Sequence, residues 1–190
     1  MGILTRGLRK QKSIRHNGKR LSEILEAHAR FARMDEGGAR AELAGADLAR
    51  ADLRGCDLRM ANLHGARLEG ADLREARLTR ADLSETNLRR ADLRSTDLTE
   101  ANLSKCDLTD GQLSGVEVFR TDLSGAILHR ANCRATNFRL AILRGADFRG
   151  ADLNTAMLKE ADLSEVDLSG VDLTTTLMPR GWKAPQGAAN

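Results

Sequence analysis

Residues 71–85 read ADLRE-ARLTR-ADLSE, three successive pentads that each have leucine as their third residue. The same register continues in both directions, from Ala41 to Arg180, as 28 pentads without an insertion. Leucine is the third residue in 23 of them, alanine the first in 17, and Asp or Asn the second in 19, so the first three positions are tightly constrained. Self-similarity at a fixed period predicts a repeat architecture.

A five-residue period excludes the two common regular elements. A helix with 3.6 residues per turn would distribute the leucines around all its faces, and a flat strand would alternate them between two faces. A chain that turns at every pentad keeps the first and third residues inside and places Asp or Asn at a turn. The fourth and fifth residues vary and are expected to be unconstrained. The sequence therefore predicts an all-β solenoid with a narrow core of leucine and alanine, which fits an aromatic content of only 3%.

The A-(D/N)-L-x-x pattern resembles the repeats of the pentapeptide repeat family, and the resemblance covers residues 41–180. It implies a right-handed quadrilateral β-helix with four pentads in each coil, so that 28 pentads would form about seven coils. With adjacent strands ~4.8 Å apart, the rod would be roughly 34 Å long. The cysteines, Cys56, Cys106 and Cys133, fall on first or third positions and are expected to be small buried side chains, not nucleophiles.

Four segments are expected along the chain. Residues 1–20 are a basic, flexible leader, residues 21–38 a capping helix with a glycine stop, residues 41–180 the repeats, and residues 181–190 a C-terminal tail. The apolar residues of the helix recur at helical spacing and would cover the first coil. They are Leu21, Ile24, Leu25, His28, Phe31 and Ala32. At the other end, Trp182 is expected to cover the last coil.

The net charge of +3 is unevenly distributed along the chain. The repeats hold 19 basic and 23 acidic residues, whereas the leader holds seven basic residues and no acid. Such a leader could bind weakly to an anionic membrane or to nucleic acid, and a solubilising tail is the alternative. Its basic residues are Arg6, Arg9, Lys10, Lys12, Arg15, Lys19 and Arg20.

Sorting the outward residues by every fourth pentad groups them on four walls. One wall carries apolar residues at outward positions beside arginines, which is typical of a contact site. The contact patch predicted there consists of Phe119, Arg120, Arg139, Leu140 and Met157. Another wall has an excess of acids, and the acidic face predicted there consists of Asp82, Glu85, Asp122, Asp162 and Glu165.

No motif of the sequence indicates catalysis. The four histidines are scattered, and phosphate loops, zinc-ligand spacings and nucleophile elbows are missing, so no catalytic, metal or cofactor site is predicted. No apolar run has the length of a membrane span, and no signal-peptide core is recognisable. Three scattered cysteines suit a reducing compartment, and a cytoplasmic location is expected.

The leading functional hypothesis is a non-catalytic protein-binding scaffold, monomeric or weakly homo-oligomeric, with a partner that the sequence leaves unidentified. The alternative comes from the DNA-mimic members of the family, which bind DNA gyrase or topoisomerase IV and counter quinolones. Against it stand the mildly acidic repeats, Arg67 and Arg77 at aspartate positions, and a tail too short for the dimerising helix of those members. Contact with a membrane or nucleic acid through the basic leader is the second alternative.

Overall fold

The computed structural model describes residues 7–183. A short 3-10 turn at Gln11–Ser13 leads into β1 (Arg15–His16) and β2 (Lys19–Arg20), which pair antiparallel. Helix α1 (Leu21–Ala32) follows directly, and the repeat array comes after it.

The repeats are joined by single-residue parallel bridges between positions four pentads apart. The series begins with Glu42 opposite Asn62 and ends with Met157 opposite Leu177. In every bridge between two repeats, both partners are the second residues of their pentads, so the chain returns to the same wall after four pentads. The pairing is confined to one residue because the next positions already form a β-turn. Each set of four consecutive pentads forms one turn of the solenoid, and successive turns stack through these bridges. This arrangement confirms the predicted all-β solenoid.

The core consists of the first and third residues of the pentads. Every third-position leucine from Leu43 to Leu158 is completely or almost completely buried, and alanine fills most first positions. Phe138 and Phe148 replace leucine and pack edge to face, with ring centroids 5.8 Å apart. Threonine at first positions is tolerated because its hydroxyl donates to a buried carbonyl, as from Thr96 to Leu73 O at 2.8 Å.

The corners impose a constraint on the fifth residue that the sequence pattern did not predict. From Gly45 to Gly170, every fifth residue has a positive φ, although 17 of these 26 residues are not glycine. The turn closes with a hydrogen bond from the first N–H of the next pentad to the third carbonyl, as from Ala46 to Leu43 O at 3.0 Å. A positive φ at the third turn residue identifies a type II turn.

The second residue stabilises the same corner through its side chain. Asp72 Oδ1 accepts a hydrogen bond from the backbone N–H of Arg74 at 3.3 Å, and Asp82 Oδ1 accepts one from Ser84 at 3.0 Å. This two-residue contact is the local bond expected of Asp and Asn in turns, and it explains their prevalence at this position.

Helix α1 covers the N-terminal end of the solenoid, as predicted. Leu21, Leu25 and His28 are buried, and Ile24 packs partly against the core. His28 is fully buried and its Nδ1 accepts a hydrogen bond from the backbone N–H of Ala41, the first repeat residue, at 3.0 Å. The histidine on the apolar face thus joins the helix to the first turn of the repeats.

The helix ends before the glycines of the predicted stop. Met34 has φ 62°, its N–H donates to Phe31 O at 3.0 Å, and the N–H of Asp35 donates to Arg30 O at 2.9 Å. These two bonds form a Schellman motif with methionine at the left-handed position. Gly38 has a different role, because a Cβ there would lie 2.3 Å from the backbone nitrogen of Phe31.

The leader is folded over residues 9–20, which corrects the expectation of a flexible segment. Arg9 forms a parallel bridge with Ala51, its N–H donates to Arg50 O at 2.6 Å, and its carbonyl accepts from Asp52 N–H at 3.0 Å. Ile14 is 1% exposed and belongs to the core. The backbone hydrogen bonds of Arg9 to the first repeats and the burial of Ile14 therefore hold this segment in place. Arg6 lies outside the described residues.

The C-terminal end is less tightly covered. Leu163, Val166 and Met178 of the last pentads are only partly buried, and Trp182 packs against the core as a partly buried side chain. Its backbone N–H donates to Pro179 O at 3.1 Å. Most of the predicted tail, from residue 184 onward, lies outside the described residues.

Candidate partner-binding surface

The residues of the contact patch lie on one wall of the solenoid. Met157 is bridged to Asn137 on one side and to Leu177 on the other. Phe119 and Leu140 belong to successive turns, which are joined by a hydrogen bond from Arg120 N–H to Arg139 O at 3.2 Å. The backbone register therefore brings the predicted patch together.

The apolar side chains of the contact patch are half-buried. Phe119, Leu140 and Met157 are each intermediate in exposure, and the guanidinium of Arg120 lies 5.1 Å from the centroid of the Phe119 ring. Leu177, which lies on the same wall outside the five residues of the contact patch, is 46% exposed and extends the apolar surface to the next turn. Its signal in the sequence is the apolar residue at a second position, where Asp is usual.

Ion pairs between arginine and aspartate recur on the surface of the repeats. On one wall Asp52, Arg54, Asp72 and Arg74 alternate. Arg54 binds Asp52 through two hydrogen bonds of 2.8 and 2.7 Å, and its Nε lies 3.7 Å from Asp72 Oδ2. The bonds from Arg54 hold the pKa of Asp52 below its usual range. These charges neutralise one another and offer little to a partner.

The acidic face also lies on one wall, because bridges connect Asp82 to Asn102, Asn102 to Asp122 and, through Ile142, Asp162. Its charge is reduced by neighbouring cations, since Lys105 lies 3.8 Å from Glu85 and Arg144 lies 3.4 Å from Asp162. Hydrogen bonds from the side chain and backbone of Ser164 lower the pKa of Asp162. This wall therefore does not present an unbroken negative surface.

The basic residues of the leader are partly used by the fold itself. Arg9 pairs with Asp47 at 3.1 Å and also donates to Ala49 O, and Arg15 donates to Gly18 O at 3.1 Å. Lys10 and Lys12 line an open cleft of about 640 Å³ between the leader, α1 and the first turn. Lys19 and Arg20 form β2.

One serine lies between a histidine and an aspartate, but the hydrogen bonds do not suit nucleophilic catalysis. Ser84 Oγ donates to Asp82 Oδ1 at 2.6 Å, and His64 Nδ1 lies 2.9 Å from the same hydroxyl. The single hydroxyl proton is thus directed at the aspartate, and the imidazole is the donor to Oγ. A catalytic serine would instead direct its proton to the histidine.

The three cysteines are free thiols with little nucleophilic character. Burial raises the pKa of Cys56 to about 11 and raises the pKa of Cys106 and Cys133 further. Within residues 7–183, no three His, Cys, Asp or Glu side chains are grouped as metal ligands. Over the same range, no helix has both the length and the apolar character to span a bilayer.

The chain is similar to several proteins of known structure. HetL of the cyanobacterium Nostoc sp. strain PCC 7120, a pentapeptide repeat protein involved in heterocyst differentiation regulation, is 32% identical, with 77% of this chain and 78% of HetL covered and a TM-score of 0.46. Rfr23, a pentapeptide repeat protein of the cyanobacterium Cyanothece 51142, is 33% identical over 54% of this chain and 63% of its own, with a TM-score of 0.29.

QnrB1, a plasmid-mediated fluoroquinolone resistance protein, is 18% identical over 75% of this chain and 91% of its own, with a TM-score of 0.50. This likeness concerns the fold alone. No curated protein matches the chain. The family model described as pentapeptide repeats matches eight copies, over residues 39–74, 71–110, 119–154 and 141–175. The chain therefore belongs to the pentapeptide repeat family.

Proposed function

We propose that this protein is a non-catalytic protein-binding scaffold whose solenoid presents the contact patch to a protein partner. In this proposal the 28 pentads, at four per turn, form a right-handed quadrilateral β-helix of about seven coils in the cytoplasm. The observation that carries it is the cluster of half-buried apolar side chains of Phe119, Leu140 and Met157 on successive turns of one wall. The exposed Ile127 and Ile142 on other walls are instead each flanked by aspartates. Half-buried apolar side chains on a rigid frame can bind a partner at a small entropic cost, because the frame is already ordered.

The experiment is a quantitative pull-down from lysate with the full-length protein and two double variants. Phe119→Ala with Leu140→Ala should keep the wild-type melting temperature and lose most of the captured partner. The matched control, Ile127→Ala with Ile142→Ala, removes two exposed apolar side chains from other walls, where they are 38% and 43% exposed. Equal capture by all three proteins would place binding elsewhere.

The alternative of a DNA mimic that binds gyrase makes a different prediction in the same experiment. Gyrase or topoisomerase IV subunits would be captured by both double variants and lost on charge reversal of Asp122 and Glu165 in the acidic face. Lys105 and Arg144 weaken this alternative, because they pair with Glu85 and Asp162 and reduce the net negative charge of that wall. The second alternative is binding to a membrane or nucleic acid through the basic leader. Such binding should be lost in a protein that starts at Leu21.

A further inference from the structure

The cations at the fourth position of the pentads follow a pairing rule. Ten pentads have Arg or Lys there, and eight of these side chains lie within 4.0 Å of an aspartate at a second position. The aspartate belongs either to the same pentad or to the pentad stacked against it on the next turn. The first group is Arg54, Arg59, Arg74, Arg94 and Arg149, and the second is Arg89, Arg134 and Arg144.

The two exceptions are Arg139 and Lys159, and both lie on the wall of the contact patch. For Arg139 the two partner positions hold Asn137 and Met157, and for Lys159 they hold Met157 and Leu177. In the part of the chain that the structure describes, neither cation lies within 4.0 Å of a carboxylate. The second positions thus offer no carboxylate to either of these two consecutive cations.

These two cations are neighbours in one column of the wall. The hydrogen bond from Leu140 N–H to Lys159 O, at 3.3 Å, connects their turns, and both side chains are exposed. Adjacent strands are ~4.8 Å apart, and like charges opposite each other across strands are destabilising. A surface that pairs its other fourth-position cations and leaves these two unpaired, side by side, is suited to anionic groups supplied from outside.

Apolar side chains surround the two cations and indicate what kind of molecule carries the anions. Met157 and Leu177 stand beside them in the second-position column, and Phe119 precedes Arg139 in theirs. A nucleic-acid strand would call for a longer track of cations along its phosphates. A polypeptide can present carboxylates and apolar side chains together.

We propose that Arg139 and Lys159 are the charge-recognition element of the contact patch and bind an acidic polypeptide segment. Carboxylates of that segment pair with the two cations while its apolar side chains pack on Met157 and Leu177. This inference rests on the proposed function and adds the chemistry of the partner.

One substitution gives both cations an internal partner, and the Asp and Glu content of the selected peptides reports its effect on charge separately from the loss of the Met157 side chain. Met157→Asp places a carboxylate at both kinds of partner position at once, on the turn after Arg139 and in the same pentad as Lys159, so that each cation gains an internal partner. The matched control is Ile142→Asp, which introduces the same side chain at a second position of another wall, where Ile142 is 43% exposed. Both variants should melt within a few degrees of the wild type, because neither position belongs to the core.

The test is a selection of random displayed peptides on the full-length wild type, on Met157→Asp, on Ile142→Asp and on Phe119→Ala with Leu140→Ala. Peptides selected on the wild type and on Ile142→Asp should be enriched in Asp and Glu, and Met157→Asp should lose this enrichment. The best acidic peptide should bind Met157→Asp about tenfold more weakly, with an affinity on the wild type that falls as salt rises.

Each other outcome overturns the inference in a distinguishable way. Charge recognition is rejected if Met157→Asp selects acidic peptides as well as the wild type does, or if the wild type shows no acidic enrichment. In either case the contact patch itself is retained if the double alanine variant still loses the peptides. The same peptides selected by all four proteins would reject the patch as well. A fluorescent DNA or RNA oligonucleotide that binds the wild type and not Met157→Asp would assign the cations to phosphates.

Discussion

Met34 shows how a single residue can hold a conformation that suits another amino acid better. It is 95% exposed and has φ 62°, at the left-handed position of the Schellman motif that ends α1. A left-handed conformation costs an L-residue roughly 1–2 kcal/mol, and the greater backbone entropy of glycine offsets roughly 0.5–1 kcal/mol of the gain from relieving it. Met34→Gly should therefore stabilise the protein by about 0.5–1 kcal/mol. Chemical denaturation measures this change, and a loss of stability would contradict the assignment of the helix end.

At the corners of the repeats the reverse substitution should have the opposite effect, because a glycine there already holds the positive φ. Gly65 has φ 62°, and no atom lies within 4 Å of the place where a Cβ would stand. Gly65→Ala should still destabilise by about 1 kcal/mol, because the strain resides in φ and not in packing. The matched control is Ala44→Gly, at a fourth position, which lacks a positive φ. If Gly65→Ala were neutral in urea unfolding, the left-handed corner would not be a constraint.

At the scale of the elements, the cap depends on a buried neutral histidine. His28 Nδ1 accepts from Ala41 N–H, so the ring proton of the neutral form is on Nε2, which has no partner among residues 7–183. Burial lowers the pKa of His28, Asp57 and the backbone at Arg59 raise it, and the charges of Arg40 and Arg59 lower it. Protonation would remove the acceptor that the first repeat uses.

This geometry predicts a loss of stability in mild acid. As the pH falls below about 6.5, the unfolded chain binds a proton that folded His28 resists, so the free energy of unfolding falls until the lowered folded pKa is reached. His28→Gln removes the titration and should flatten that slope, although its own stability at pH 8 is lower. Hydrogen bonds from arginine lower the pKa of Asp52, Asp57 and Asp147, so the stability that these carboxylates contribute is lost mainly below about pH 4 and is separable from the effect of His28. Thermal melts from pH 8 to 4.5 make the comparison, and parallel curves for both proteins would refute the link.

The leader gives the second prediction at this scale. Removing residues 1–20 takes away the Arg9 bridge to Ala51, the buried Ile14 and the bond from Leu21 N–H to Ile14 O. Burying an isoleucine is worth roughly 1.5–3 kcal/mol, so the truncated protein should melt several degrees lower. Ile14→Ala in the full chain should reproduce a large part of this loss, and Lys12→Ala should not. An unchanged melting temperature after truncation would restore the expectation of a flexible leader.

For the molecule as a whole, the sequence predicts the features that follow from the spacing of its side chains, and it misses those that depend on backbone conformation or on contacts formed only in the folded chain. The inward leucines and alanines, the turn-forming Asp and the capping helix follow from periodicity, because each is stated many times or at helical spacing. The left-handed corner was missed because arginine, glutamate and serine hide a backbone requirement that glycine alone would reveal. The fold of the leader depends on an edge that exists only after the first turn has formed. The unpaired cations become visible only with the side-chain distances, which show that the other fourth-position cations pair with second-position aspartates.

The stacked architecture makes the damage from a core substitution depend on where it lies along the rod. Leu93 is fully buried in the middle of the array, whereas Leu163 near the end is only partly buried. An aspartate in place of Leu93 buries an unpaired carboxylate at a cost of several kcal/mol and separates the turns on either side, each of which contacts only its neighbours. We expect Leu93→Asp to lose the cooperative melt and most of its far-ultraviolet circular dichroism. Leu163→Asp should keep both, with a modestly lower melting temperature, because the turns before it still form a continuous core. A wild-type melt for Leu93→Asp would contradict the inward assignment of the third position, and equal damage from both would show that the rod folds as one indivisible unit.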